Sequence, residues 1–543
     1  MPMLSRRTAL AGAGASLLPL ARPALAQADT RPALTVAVQR IAGSNTLEPP
    51  REQSNTGFRS SGLYAEPLID TDWLGDLRAV PGLAAAWRRV DERTVELDLR
   101  PGVRFHDGRE MTAEDVAFSF NERLFGAAGP GGTAATGSSA SLLAGTAGRE
   151  PPGEVIAVAR RSFPGLERME VVGSHTVRYV AARPDITVEG RLAQNVGTVM
   201  SRAAFAASEN WLAWARRPVG TGPYRIAEYR PDNSVTFEAH DDYWGGRPPA
   251  RRIRFVEVPE ASSRVNGLFA GEYDFACDIS PDQIAVVERN ARFEVLGSPI
   301  NNIRILTFDK THPVLADARI RRAMTHAVDR QAIVDALWAG RTAIPRGLQL
   351  ENYGAMYLAD WENPRFDPAE ARRLLRDAGY AGQPIPHRLL RDYYANQTAT
   401  AQILVEMWRA VGLNVAIEMK ENSSQQVERG PGRGIRDWSN TSTFGDPVAG
   451  VLRAYGPNTD PAANGEWSSA EFDRVAAELT GSTDLPRRRA LFRRMLEIVE
   501  REDPGTFVLH QAASFTAKRR DIAWRAAKGW PMDFRPGNLQ VGA

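Results

Sequence analysis

The hydrophobic pattern of this chain switches repeatedly between the two periods that regular structure allows. Thr94–Leu99 alternates as a strand does, and residues 34–39 form an apolar-rich run suited to a first buried strand. Val116, Phe120 and Leu124 fall instead on one helical face. They follow Thr112-Ala113-Glu114-Asp115, where a hydroxyl and two acids suit a helix start. Residues 224–229 and 235–239 are β-rich, and Pro231-Asp232-Asn233-Ser234 between them predicts a hairpin turn. Residues 170–181 return to strand character, and residues 192–205 are expected beside them.

Further on, residues 253–258 read as a strand, 261–269 as a helix stopped by Gly271, and 273–276 as a short strand. The spacing predicts helices over 320–339, over the stretch begun by Asp367-Pro368-Ala369-Glu370 and ended by Gly379, and over 398–411. A strand over 413–419, an Arg-rich amphipathic helix over 486–502, and strands over 506–511 and 514–518 complete the pattern. Strands and helices alternate, which argues for an α/β class. Residues 126–153, rich in Gly, Ala, Ser and Pro, read as a long surface excursion.

A chain of 543 residues exceeds what one hydrophobic core serves, so two or three domains are expected. Ser5-Arg6-Arg7-Thr8-Ala9-Leu10, a short Ala/Gly/Leu run and Ala24-Leu25-Ala26-Gln27-Ala28 have the three-part layout of an export leader. Its arginine pair suggests the twin-arginine route, with cleavage near Ala26 or Ala28. Loss of Arg6, Arg7 and Arg22 takes a formal net charge of +2 to −1, which leaves no electrostatic footprint for nucleic acid. Cys277 is the only cysteine, so neither an internal disulfide nor a thiolate metal site can be built, and it reads as a small buried hydrophobe.

The chain has no G-x-S-x-G, H-E-x-x-H, G-x-x-x-x-G-K or C-x-x-C. No two of its seven histidines stand at a three- or four-residue spacing. His106 is expected to fix a turn, His326 to be a packed or surface residue, and Asp241-Asp242 to point oppositely in extended chain. No cofactor is implied.

Several blocks, in order, carry a resemblance. They are GLYAEPLI (62–69), the A-W…TVELDLRPGVRFHDG…TAEDVAFSF run, G-T-G-P-Y with the hairpin and D-Y-W-G, RIRRAMTHAVDRQAIV, and FDPAEARRLLRDAGY. Together they resemble the family 5 solute-binding proteins of ABC importers, over roughly residues 34–503. On local physics alone the central hairpin is one of an ordinary mixed sheet. Residues 62–69 resemble the family's first helix, with 80–90 the segment after it.

The resemblance implies an α/β fold of the type II periplasmic-binding-protein kind, with two lobes and an inserted extra domain. Its layout here would be a leader over 1–28, domain I over 29–62, 213–298 and 504–543, domain II over 63–212, and domain III over 299–503. It implies a monomer that captures a peptide or peptide-like solute in the periplasm. Delivery would be to ABC permease subunits powered by a cytoplasmic ATPase. A nickel chelate, an opine or a sugar-type solute on the same scaffold is the alternative. A periplasmic hydrolase, and a receptor feeding a sensor, are the rivals from other classes.

The resemblance also nominates a cleft. Arg391 falls where the family binds a ligand carboxylate, with Tyr393 and Tyr394 as stacking and hydroxyl neighbours; a solvated surface arginine is the other reading. RDWSNTSTFGDPVAG (436–450) matches the family's cleft loop and offers Trp438, Asn440, Thr443, Phe444 and Asp446. Thr443 stands where dipeptide binders carry an amine-binding aspartate. A hydroxyl does not offset the desolvation of an ammonium as a carboxylate does. Asp446 takes over that role if the loop shifts, although Asp before Pro is also a turn device.

Overall fold

The computed structural model describes residues 29–131, 148–390, 393–430, 433–457 and 459–542. The leader (1–28), Arg391 and most of the Gly/Ala-rich excursion lie outside the described residues.

Ten strands make one large mixed sheet. In chain order they are β1 (Ala33–Val38), β2 (Tyr224–Arg230), β3 (Ser234–Ala239), β4 (Arg252–Glu257), β5 (Phe275–Ala276), β6 (Phe293–Phe308), β7 (Ile385–Leu390), β8 (Val415–Lys420), β9 (Ile435–Thr441) and β10 (Thr506–Arg519). Their spatial order is β2-β3-β4-β1-β5-β10-β6-β9-β7-β8. β1 is parallel to β4 and β5, and β7 is parallel to β8 and β9. The central pair, β6 and β10, is antiparallel. It joins the two ends of the sheet, and its register shifts between Pro299 and Ile303.

Each end has its own packing. The β1–β4 end packs Val36, Phe237 and Phe255 with Trp211, Trp214 and Phe534. The far end packs helices Ala318–His326, Pro368–Asp377 and Gln397–Ala410 against Phe308, Ile385 and Ile435. A separate four-stranded antiparallel sheet, made of Ala84–Arg89, Thr94–Leu99, Thr176–Ala181 and Leu166–Gly173 in that order, closes over helix Ala113–Phe120. The mixed α/β architecture expected from the pattern is the one observed.

Local physics explains most elements. Thr112 and Asp115 form the reciprocal cap, with the Thr112 amide 3.0 Å from the Asp115 carboxylate, and Val116, Phe120 and Leu124 are fully buried. The hairpin forms with Asp232 at φ 55°, in the left-handed region its turn requires. Cys277 is buried against the Met532 sulfur, and burial pushes its thiol up to about 11.

Three expectations are corrected. Residues 320–339 are two helices, Ala318–His326 and Arg330–Trp338, because the Asp329 carboxylate accepts from the Ala332 amide at 3.0 Å and starts a new helix. The early helix is Asn55–Ser61, not 62–69. Glu66–Pro67 and Ile69–Thr71 are short strands, and the Glu66-Pro67 backbone pairs with Thr198–Val199. The predicted strands 506–511 and 514–518 are one continuous strand, because β6 pairs with both halves.

The G-T-G-P-Y and D-Y-W-G turns converge on one buried acid. Thr221 of G-T-G-P-Y donates to Glu66 Oε2 at 2.8 Å, and Trp244 of D-Y-W-G donates to the same oxygen at 3.0 Å. Tyr243 donates to Oε1 at 2.7 Å. His106 also fixes this turn, with its ring Nε2 2.9 Å from the Gly222 carbonyl, and burial holds its pKa down to about 3.

Candidate functional site

The site is built around helix Asn55–Ser61, which follows β1 and faces the far end of the sheet. Ser54 caps it by accepting from the Gly57 amide at 3.1 Å. Glu52, just before, holds the incoming loop by accepting from the amides of Gly43 (3.0 Å) and Ser44 (2.7 Å). Asn55 is thereby presented to two adjoining cavities.

One cavity, with an empty volume of about 560 Å³ that opens to solvent, runs between Glu52–Asn55, Gln194–Asn195, and Thr441, Thr443 and Arg453. The other, with about 420 Å³ of empty space that likewise opens to solvent, is walled by Asp278, Arg304, Trp338, Tyr393, Tyr394 and Trp530. Both take lining from residues before 300 and from residues after 300. A third cavity, with about 580 Å³ of empty space that opens to solvent, shares Phe58 and Trp73 with the first, reaches Glu66 and Arg535, and takes no lining from residues 300–503.

The walls also touch directly. Gln39 Nε2 donates to the Tyr393 carbonyl at 2.9 Å, and Asn55 Nδ2 reaches Ser439 Oγ at 3.5 Å. Phe444 packs so closely on Gly190, of helix Val188–Leu192, that a Cβ there would meet its ring at 2.7 Å. The Arg191 guanidinium lies 5.9 Å from the same ring centre. The structure is therefore that of a cleft with its walls together.

The nominated residues separate by position. Tyr393 and Tyr394 line the second cavity edge to face, with centres 4.7 Å apart. The Tyr394 hydroxyl donates to Ser439 Oγ at 3.0 Å, while the Arg304 guanidinium stacks on its ring at 3.3 Å. Thr443 lines the first cavity, and its hydroxyl is buried without a partner among the described residues. Phe444 forms the contact to Gly190. Trp438, within β9, is half-buried and packs on the core, with the Arg436 guanidinium 4.5 Å from its ring centre. Asn440 is buried in β9, and Asp446 binds Arg488.

Asn55, Gln194, Asn195, Arg453, Trp338 and Trp530 line the cavities and were not nominated from the sequence. They come from segments far apart in the chain, so no local spacing marks them. Electrostatically the second cavity is backed by closed pairs. Arg304 meets Asp437 at 2.6 Å, and Arg59 meets Asp278 at 2.6 Å. Among the described residues no group of three or more His, Cys, Asp or Glu is placed to hold a metal ion, and no helix is long and apolar enough to cross a membrane.

Comparison with known proteins places this architecture. The dipeptide-binding protein of Escherichia coli (strain K12) is 23% identical over 561 residues, covering 97% of each chain. The crystal structure of a dipeptide binding protein from Pseudoalteromonas sp. SM9913, in complex with Met-Leu, superposes with a TM-score of 0.80 at 21% identity, covering 93% of this chain and 100% of that one. The binding protein AgaA, in complex with agropinic acid from A. tumefacien R10, superposes with a TM-score of 0.75 at 18% identity, covering 94% and 99%. These likenesses establish the two-lobed fold. The family model for bacterial extracellular solute-binding proteins, family 5, matches residues 78–469, most of the chain. By that match this protein belongs to the extracellular solute-binding proteins of family 5.

Proposed function

We propose that this protein captures a peptide or peptide-like solute in the periplasm by closing its two lobes, and passes it unaltered to an ABC permease driven by a cytoplasmic ATPase. The observation that carries this is the pair of cavities meeting at Asn55, each lined by residues from before and from after position 300. A ligand seated there touches both walls only when they are together, which gives it the differential affinity that drives closure. The dipeptide-binding relatives in Escherichia coli and Pseudoalteromonas support the solute class. Closure is proposed to turn on β6 and β10, where the register shifts between Pro299 and Ile303. Domains I, II and III are proposed at the boundaries given above. Arg391, Tyr393, Tyr394, Thr443 and Phe444 are the proposed ligand contacts, and residues 1–28 the export leader.

Native mass spectrometry of protein purified without added ligand tests this. An intact small molecule carried through purification is the expected result. Turnover of a peptide library would replace the receptor with a hydrolase. An opine-type solute is a second reading, favoured by the likeness to AgaA and by Thr443 standing where dipeptide binders have an acid.

A further inference from the structure

Phe444 and Gly190 join the two walls outside the cavities, since neither residue belongs to the lining of the three described above. Both sides of this contact are held in place. On the Gly190 side, Val188 and Leu192 are buried, and Arg191 ties the short helix down by donating to Asp185 Oδ2 at 2.8 Å and to the Ser162 carbonyl at 2.9 Å. On the other side, the Phe444 carbonyl accepts from the Ser442 hydroxyl and the Asp446 amide, both at 2.9 Å. The Phe444 ring packs partly on the core behind its loop, and Gly445 lies directly against the Asn352 carbonyl.

The fit depends on a missing side chain. A Cβ at Gly190 would lie 2.7 Å from Phe444 Cγ and Cδ2 and 2.9 Å from Phe444 Cβ. Those are the three heavy atoms nearest to it, so the obstruction comes from the opposite wall. Turning the ring aside does not relieve an overlap that includes Cβ, because that atom moves only with the loop backbone. Gly190 is not among the glycines with positive φ, so its own helix accepts alanine without backbone strain. Arg191 adds attraction across the gap. Its guanidinium faces the Phe444 ring at 5.9 Å, and its buried Nη2 has no hydrogen-bond partner among the described residues.

We infer that Gly190 is a positioning residue for closure: its bare backbone seats Phe444, sets how near the two walls come, and thereby sets how firmly a ligand between them is held. The inference rests on the receptor reading above and deepens it, giving Phe444 a task in closing besides its proposed contact with ligand.

Mild oxidation of the Gly190→Cys/Phe444→Cys double variant tests the contact with no ligand needed. A small shift of the walls brings the two Cβ atoms to the roughly 3.8 Å of a disulfide, and the native Cys277 is buried away from oxidant. An intramolecular crosslink, read as loss of both introduced thiols in intact mass spectrometry and reversed by dithiothreitol, is expected in the double variant and in neither single one. A folded double variant that keeps its thiols overturns the inference.

Calorimetry with Met-Leu, on protein stripped of carried ligand, tests the consequence. Gly190→Ala should weaken Met-Leu binding about 10-fold. The thermal midpoint of the unliganded protein should stay level or rise, since alanine suits a helix better than glycine. In a Phe444→Ala background the same change should leave affinity unmoved. Equal affinity of wild type and Gly190→Ala, or an equal loss with and without the Phe444 ring, overturns the inference and leaves the receptor reading standing. A lowered midpoint of the unliganded variant makes Gly190 a purely structural glycine and overturns it as well. Failure of the wild-type protein to bind Met-Leu turns the solute class toward the opine-type reading, and the crosslink alone then decides the inference.

Discussion

Asp446 Oδ2 lies 2.6 Å from Arg488 Nη2, joining the cleft loop to helix Leu485–Leu496 across a buried contact. Its other oxygen accepts from the Val448 amide at 3.0 Å and starts the turn that follows. An acid in the cleft loop is thus spent on holding the loop. Asp446→Ala leaves a buried guanidinium unpaired, and the expected destabilisation is about 3–5 kcal/mol by urea unfolding. Adding Arg488→Met should recover much of it. If Asp446→Ala instead leaves stability unchanged while ligand affinity falls, Asp446 is a ligand contact.

Glu66 gathers three donors from two separate turns. Tyr243→Phe removes one of them without changing shape, so a loss of about 1–2 kcal/mol in stability is expected, with ligand affinity unchanged. Denaturant unfolding and calorimetry together check both halves.

Glu500 gives stability a defined pH dependence. Burial pushes its pKa from the ordinary 4.5 up to about 7, although the Leu348 amide and the Trp361 indole both donate to it. The folded state therefore keeps a proton that the unfolded state has released. The stability from this group is fully present below about 4.5 and is lost as pH rises through about 7. The expected loss across that window is about 3 kcal/mol, and Glu500→Gln should flatten it in unfolding measured at pH 4.5 and 7.5.

Gly222 sits against backbone. A Cβ there would lie 2.7 Å from the Leu63 carbonyl carbon and 2.8 Å from Tyr64 Cα, and the Tyr224 amide bonds the Leu63 carbonyl at 2.8 Å. Neither neighbour is a side chain that can turn aside. Gly222→Ala is expected to cost about 1–3 kcal/mol, seen as a lowered thermal midpoint.

Asn55 lines both cavities and reaches Ser439 across the cleft. Asn55→Ala should weaken binding of the carried ligand about five-fold, the worth of roughly one hydrogen bond, in displacement calorimetry. An unchanged affinity would remove the helix start from the ligand contacts.

How far the sequence reached is visible element by element. The cap at Thr112, the hairpin at Asp232 and the stop at Gly271 were legible because each depends on a few adjacent residues and on backbone geometry they alone can satisfy. The break at Asp329 was missed because the apolar period runs on through it, while one carboxylate suffices to begin a new helix. The family blocks pointed correctly to fold and class, since they hold the turn residues Thr221, Tyr243 and Trp244 that meet at Glu66.

The sequence alone determined the α/β class and the local elements, because period, caps and turns act over fewer than about ten residues. Only the tertiary structure decided that β6 and β10 join both ends of one sheet, that Thr221, Tyr243 and Trp244 share Glu66, and that Glu52 and Asp278 face the cleft already paired. Those outcomes depend on which distant groups share a buried space. A charge's availability to a ligand is set by the partners that folding brings to it, and neighbours in the chain do not reveal them.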